Sequence, residues 1–435
     1  MSTFSFANMS PETAKKFKYW QTRTIVASMI GYAIYYFVRK NLSIAMPGMQ
    51  ADLGISKTDL GIFLTLHGLL YGLSKFVNGF FSDRSNARVF MVTGLVLSAL
   101  ANIFFGMSSA ILVLGLVWML NGWFQGMGFP PIARLMTHWV PPNELATKMS
   151  VWNTSHSIGA GAVVVVCGYI VANLGWRWCF YIPAIIALCG AMYMWFALRD
   201  TPKSVGLPEI HSAKTKEENT SAEFKRFLRK KVFGNPYIWL ISIANFFVYT
   251  IRYAVLDWGP TLLTETKGLQ IQHAGWMVAA FEVAGIVGML AAGWLTDKVF
   301  GGRGIRMCVF CMIFTTLSIF LFWKLETPSI LMATIILGAA GFFIYGPQAL
   351  IGIIAANLAT NKAAGTAAGF TGLFGYLSTI LSGWGLGFIA QHYGWDYAFG
   401  GLIAVGIAGA LTFILGWRAK PHGYDDPTEM PLAKQ

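Results

Sequence analysis

The sequence predicts an all-α membrane protein of twelve transmembrane helices arranged as two six-helix bundles. Three observations lead there. The 435 residues are 55% hydrophobic and only 12% charged, whereas a soluble domain carries about 25% charge. The apolar residues run on in continuous stretches long enough to cross a hydrocarbon core about 30 Å thick as helix, without the alternation that a membrane barrel requires. Short motifs of the first half return in the same order in the second half.

Taken along the chain, the apolar runs lie near 24–48, 58–81, 88–107, 110–137, 146–173, 178–198, 237–263, 272–296, 305–324, 328–355, 363–391 and 396–417. The polar start, 1–20, precedes a first run too long for a signal-peptide core and lacking a small-residue cleavage site, so span 1 is expected to stay as an uncleaved anchor. An even span count puts both termini on one side. The connections of that side hold Lys15, Lys16, Lys18, Arg23, Arg84, Arg88, Lys148, Lys298, Arg303, Arg306, Arg418 and Lys420, and the opposite connections little beyond Lys57, Arg177, Lys267 and Lys324. This asymmetry places both termini and the central loop in the cytoplasm. The expected domains are an N-terminal bundle 1–198, a cytoplasmic linker 199–235, a C-terminal bundle 236–421 and a tail 422–435. The amphipathic stretch 222–232 of the linker suits a membrane surface.

The net charge of +13 reflects that orientation, so no nucleic-acid partner is expected. Five cysteines sit in or beside apolar runs. Cys308 and Cys311 form a CxxC with no second pair, which supports neither metal nor cofactor. No HExxH or GxSxG occurs, and no Gly-Lys dipeptide that a Walker A loop would need, so neither an enzyme nor an ATP-driven pump is indicated.

The repeat carries the functional signal. Tyr36-Phe-Val-Arg39 in span 1 returns as Tyr249-Thr-Ile-Arg252 in span 7. Gly79-Phe-Phe-Ser82-Asp83-Arg84 after span 2 returns as Gly293-Trp-Leu-Thr296-Asp297-Lys298 after span 8, and Gly175-Trp176 returns as Gly394-Trp395. Such a parallel repeat belongs to transporters built of two halves. The two Asp-containing turns suit the cytoplasmic ends of paired helices, either as releasable ties between neighbours or as simple capped turns.

An intramembrane cation costs roughly 2.5–3.5 kcal/mol unless it meets water or a partner. Arg39 and Arg252, at equivalent places of a repeat, therefore suggest an anion site common to both halves, since the guanidinium fork matches phosphate or carboxylate. A packing salt bridge or snorkelling is the alternative. Tyr32, Tyr36 and Arg39 share one helical face, as do His67, Tyr71 and Lys75 of span 2. Asn153 and His156 of span 5, Gln125 of span 4, Tyr345 of span 10 and Tyr376 of span 11 add polar groups for the same anion. Lys40, Asp257 and Glu282 could pair across the halves as a gate. With two cations about 10 Å apart at an effective dielectric near 20, closing an empty site costs roughly 1.7 kcal/mol. A bound dianion reverses that sign, which predicts obligate exchange by alternating access.

These motifs resemble the organophosphate:phosphate antiporters of the major facilitator superfamily. The likeness rests on 31–41 (GYAIYYFVRKN), 71–76 (YGLSKF), 82–90 (SDRSNARVF), 122–128 (GWFQGMG), 151–156 (VWNTSH), 248–260 (VYTIRYAVLDWGP), 345–352 (YGPQALIG) and 362–377 (KAAGTAAGFTGLFGYL). The last is most similar to the glycerol-3-phosphate branch, while 235–240 (NPYIWL) is similar to the hexose-phosphate sensor branch. The resemblance implies the major facilitator fold and phosphate binding by Arg39, Arg252 and His156. It further implies lesser roles for Lys75, Tyr32, Tyr36, Gln125, Asn153, Tyr249, Tyr345 and Tyr376, and ion pairing of Lys40 with Asp257 and Glu282. Hexose-phosphate transporters carry a Lys where this chain has Thr371. The implied function is exchange of an organic phosphate, glycerol 3-phosphate or a hexose 6-phosphate, for inorganic phosphate by a monomer in the bilayer. A membrane sensor with the same site and little flux is the alternative.

Overall fold

The computed structural model describes residues 9–82, 85–209, 222–325 and 329–420, and all its regular elements there are helical. Asp83, Arg84 and the tail 422–435 lie outside the described residues. Capping sets many helix ends. Ser10 accepts from the Thr13 amide ahead of α1 (Pro11–Phe37), which has Pro at its first position. Asn86 does the same for Val89 at α4 (Ala87–Met107), and Asn235 for Tyr237 at α10 (Pro236–Lys267). α2 (Asn41–Leu53) and α10 stop at Gly54 and Gly268, both in the left-handed conformation that only glycine adopts without strain.

The remaining elements are α3 (Lys57–Ser82), α5 (Ile111–Gln125), α6 (Phe129–Trp139), α7 (Pro142–Leu174), α8 (Trp178–Ala197), α9 (Ala222–Leu228), α11 (Ile271–Lys298), α12 (Gly304–Lys324), α13 (Ile330–Leu377), α14 (Leu386–His392) and α15 (Trp395–Leu415). Three departures from the expected spans are informative. Span 1 is not one helix: it breaks at Val38–Lys40 between α1 and α2. Span 4 breaks at 126–128, between α5 and α6, where Gly126 and Gly128 precede Pro130 and Pro131. The connection expected between spans 10 and 11 stays helical, because 356–364 holds no Gly or Pro to interrupt the backbone ladder.

Among the described residues, eleven helical segments are long and apolar enough to cross a membrane by length and composition. Span 1 is the expected span that is missing from them. The break ends α1 at Phe37, ahead of Arg39, and within α1 Lys15, Lys16, Lys18, Gln21 and Arg23 lower the hydropathy most.

Two compact units result. The first comprises 1–55, 66–214 and 269–275; the second comprises 56–65, 215–268 and 276–435. In the first, α1 is lined by α7 and α8, and α4 by α5 and α8. Glycines allow the closest approaches: a Cβ at Gly159 of α7 would stand 2.6 Å from the Ala33 carbonyl, and one at Gly122 of α5 2.5 Å from that of His67. In the second unit α13 lines both α10 and α12. There the outer part of α3 is tied in by Thr65, whose hydroxyl donates to the Thr379 carbonyl (2.7 Å) and accepts from the Trp384 amide (2.9 Å) at a π-helical turn, Ile380–Gly385. Lys57 pairs with Glu265 at 3.1 Å beside it.

Candidate functional site

Arg39 sits at the break of span 1, 9% exposed, because the chain leaves the helical ladder there. Both Arg39 N and Lys40 N turn back to the Tyr36 carbonyl (3.2 and 2.9 Å). The carbonyl of Val38 is thereby released inside the protein, and two side chains from different helices satisfy it: Asn102 Nδ2 of α4 at 3.0 Å and Asn121 Nδ2 of α5 at 2.9 Å. Asn102 also donates to Ser98 O and accepts from Asn41 Nδ2, which reaches Cys179 O as well. Three wholly buried asparagines thus fix the break.

From that break the guanidinium of Arg39 lies over the Tyr71 ring at 3.9 Å and near the Tyr36 ring at 5.2 Å. The Tyr32 and Tyr71 hydroxyls are 3.5 Å apart, the Tyr32 ring leans on Trp152 (4.8 Å), and the Tyr36 ring stands edge-on to the half-buried His156 (6.3 Å). His156 Nδ1 is 3.3 Å from Ser157 Oγ. An aromatic cage around a cation strengthens its placement without neutralising it. The first unit therefore gathers Tyr32, Tyr36, Arg39, Tyr71 and His156. Lys75 lies with its ammonium over Phe129 at 3.9 Å. Gln125 is buried and donates to Ser98 Oγ (3.2 Å), Asn153 is exposed on α7, and His67 stacks on Trp118 at 5.3 Å.

The equivalent Arg252 sits in a helix without a break. It is 3% exposed on α10; its Nε donates to the Tyr345 hydroxyl at 3.0 Å, and that hydroxyl donates to Glu282 Oε1 of α11. Its guanidinium lies 4.8 Å from the Tyr345 ring, 5.9 Å from Tyr249 and 5.8 Å from Tyr253. The second unit so gathers Tyr249, Arg252, Glu282 and Tyr345. Asp257 is buried further along α10, Tyr376 is half-buried in the last turn of α13, and Thr371 is buried beside Asn245, which donates to its carbonyl. Lys40 is buried at the break in the first unit, and Asp297 and Lys298 are exposed at the end of α11.

Tyr345 owes its position to Gly285, where any Cβ would run into the Tyr345 ring. Gly285→Ala is expected to displace that ring and to lower the melting temperature of the purified protein by several degrees, the usual cost of overfilling a close-packed contact. A thermal melt unchanged from wild type would show that the contact has slack.

Sequence reasoning passed over Asn41, Asn102, Asn121 and Trp152. A signal for the asparagines was present: a side-chain amide inside an apolar span is costly unless bonded, so each marks a buried partner.

Residues 28–383 match the model of the Major Facilitator Superfamily. The chain is 42% identical over 427 residues to the probable hexose phosphate transport protein of Chlamydia muridarum, covering 94% of each chain. It is 39% identical over 417 residues to the glycerol-3-phosphate transporter of Bacillus subtilis, covering 92% of this chain and 93% of that one. The membrane sensor protein UhpC of Escherichia coli is 36% identical over 411 residues, with 93% of each chain covered. Among solved structures, a bacterial homologue of the human lysosomal transporter Spinster in an inward-facing, occupied conformation superposes with a TM-score of 0.74 over 92% of this chain and 97% of that chain. A D-xylose-proton symporter gives 0.73 over 92% and 98%. At 15% identity both speak for the fold alone. That fold and the curated relatives define a multi-pass membrane transporter, not an enzyme. The chain belongs to the major facilitator superfamily and, within it, to the organophosphate transporter family.

Proposed function

We propose that this protein exchanges an organic phosphate for inorganic phosphate across the bacterial inner membrane by alternating access, as a monomer with both termini in the cytoplasm. The observation that carries the reading is the pair of buried guanidiniums at equivalent places of the repeat. Each is held in tyrosines, Arg39 by Tyr71 and Tyr36, and Arg252 by Tyr345 and Tyr249. Two fixed forks suit a dianion, whose charge of about −1.5 to −2 each can partly neutralise. Relatives at about 40% identity named for hexose phosphate and for glycerol 3-phosphate support an organic phosphate as cargo. Thr371, buried in place of a lysine, favours the smaller glycerol 3-phosphate.

Arg39, Arg252 and His156 bind the phosphate, and Tyr32, Tyr36, Lys75, Tyr71, Gln125, Asn153, Tyr249, Tyr345 and Tyr376 shape and polarise its surroundings. Tyr345, tied to Glu282, sets the plane of the Arg252 fork. Lys40, Asp257 and Glu282 form ion pairs that change over during the cycle, with Glu282 trading the Tyr345 hydroxyl for a cation. The turn at Asp297–Lys298 holds neighbouring helices at the cytoplasmic side.

Liposomes containing the purified protein and loaded with phosphate test this when challenged in turn with glycerol 3-phosphate, glucose 6-phosphate and phosphoglycerate. Counterflow that depends on internal phosphate is the expected result, largest for glycerol 3-phosphate. Phosphate binding with no counterflow for any of the three would overturn exchange and indicate a sensor, the role that the UhpC relative's name carries.

A further inference from the structure

At the far end of the first unit from the break, the last carbonyls of α8 collect three arginines. Arg23 Nη2 donates to Phe196 O (3.2 Å), Arg88 Nη1 to Trp195 O (3.4 Å), and Arg199 Nη1 to Phe196 O (3.0 Å) and Leu198 O (2.7 Å). Arg23 and Arg199 also share the Trp20 ring, at 4.9 and 5.0 Å, and Arg88 lies 4.8 Å over Trp195. A helix C-terminus offers about half a negative charge, far less than three guanidiniums need. None of the three has a carboxylate within 4.0 Å among the described residues, and the nearby Asp200 is bonded to Arg134 (3.0 Å) and to the Ala87 amide (2.7 Å). Arg199 consequently titrates below the ordinary guanidinium value, first through burial and then through repulsion from Arg88 and Arg23.

Of these arginines Arg23 lines an open groove of about 550 Å³ together with Lys15, Lys18, Tyr19, Val26 and Tyr193, and Arg199 adjoins it through the Trp20 ring and the Phe196 carbonyl that it shares with Arg23. Its upper part is cationic and its lower part apolar: Lys15 and Lys18 are exposed, and Val26, Ile30, Met192 and Tyr193 are exposed below them. Aromatic side chains at this level, Tyr19, Trp20, Tyr193 and Trp195, mark the bilayer interface. Cations above an apolar slot at the interface match a molecule with an anionic head and a hydrocarbon tail.

We propose that this groove is a binding site for one anionic phospholipid, with the phosphate on Arg23, Arg199 and Lys18 and an acyl chain along Val26 and Tyr193. The site is separate from Arg39 and does not depend on the transport reading. A cation near an anionic headgroup is worth about fivefold in affinity. Native mass spectrometry of the purified full-length protein, titrated with phosphatidylglycerol, is expected to show one tightly retained copy in wild type. The double variant Arg23→Gln, Arg199→Gln is expected to hold it about thirtyfold more weakly, at about fivefold per cation. The double variant Lys15→Gln, Lys18→Gln changes only exposed side chains and keeps the test valid if loss of the arginines prevents folding; it too is expected to weaken retention. Phosphatidylcholine retained as well as phosphatidylglycerol, or equal retention by wild type and the lysine variant, would overturn the proposal. So would displacement of the retained lipid by inorganic phosphate at equimolar concentration, which would make the site one for free anions.

Discussion

Arg39→Ala and Arg252→Ala are each expected to abolish both phosphate self-exchange and uptake of organic phosphate, to at least about thirtyfold below wild type in phosphate-loaded liposomes. Removing one partner of a desolvated, hydrogen-bonded charge pair costs about 2–5 kcal/mol, and under the proposed function the other partner is the substrate. The two positions should behave alike although their supports differ. Arg39 is aimed by a break in the backbone and caged by Tyr71 and Tyr36, and Arg252 by a side-chain chain through Tyr345 to Glu282. Arg→Lys at either place should also impair exchange strongly, because an ammonium presents a point charge where a planar fork is needed. A monodisperse, thermally stable variant that still exchanges phosphate at either position would show that the two arginines do not serve one substrate.

The second large effect is expected from uncharged side chains at the break that carries Arg39. Asn102→Ala and Asn121→Ala each remove one of the two donors to the Val38 carbonyl. In either single variant that carbonyl keeps a donor, so it stays satisfied. Asn121→Ala should be the milder, since Asn102 additionally holds Ser98 and Asn41. In the double variant the carbonyl is left buried and unpaired, at an extra cost of about 1–3 kcal/mol. The loss should therefore exceed the sum of the singles. Because the break aims Arg39, the same excess should appear in the phosphate dissociation constant, not only in the melting temperature. Strict additivity in both measurements would show that the two asparagines act independently and that the break does not rest on their common acceptor.

How far the site could be read from the chain alone differs by residue. Arg39 and Arg252 stood out because a cation inside an apolar run is rare and these two recur in the repeat. Tyr36 and Tyr249 came with them by spacing. Lys75 and Gln125 were visible as polar groups, but their partners Phe129 and Ser98 lie on other helices, and no periodicity reports which neighbour a helix face meets. The glycine and proline punctuation of 126–131 marks the α5–α6 break locally. The break at Val38–Lys40 has no such mark: Phe37, Val38, Arg39 and Lys40 would each fit a helix interior, and side chains from α4 and α5 make the interruption tolerable.

The amino-acid order by itself determined that the chain lives in a bilayer, how many times it is laid across, that its halves repeat, and which side chains are too polar for lipid to be there by accident. Those properties follow from solvation and from local backbone preference, which act on a segment whatever its neighbours are. Only the tertiary structure decided that span 1 opens at Arg39, that Tyr345 joins Arg252 to Glu282, and that three arginines crowd the last carbonyls of α8. Each of these depends on hydrogen bonds between residues distant in sequence, and such bonds have no energy until the helices that carry them have come together.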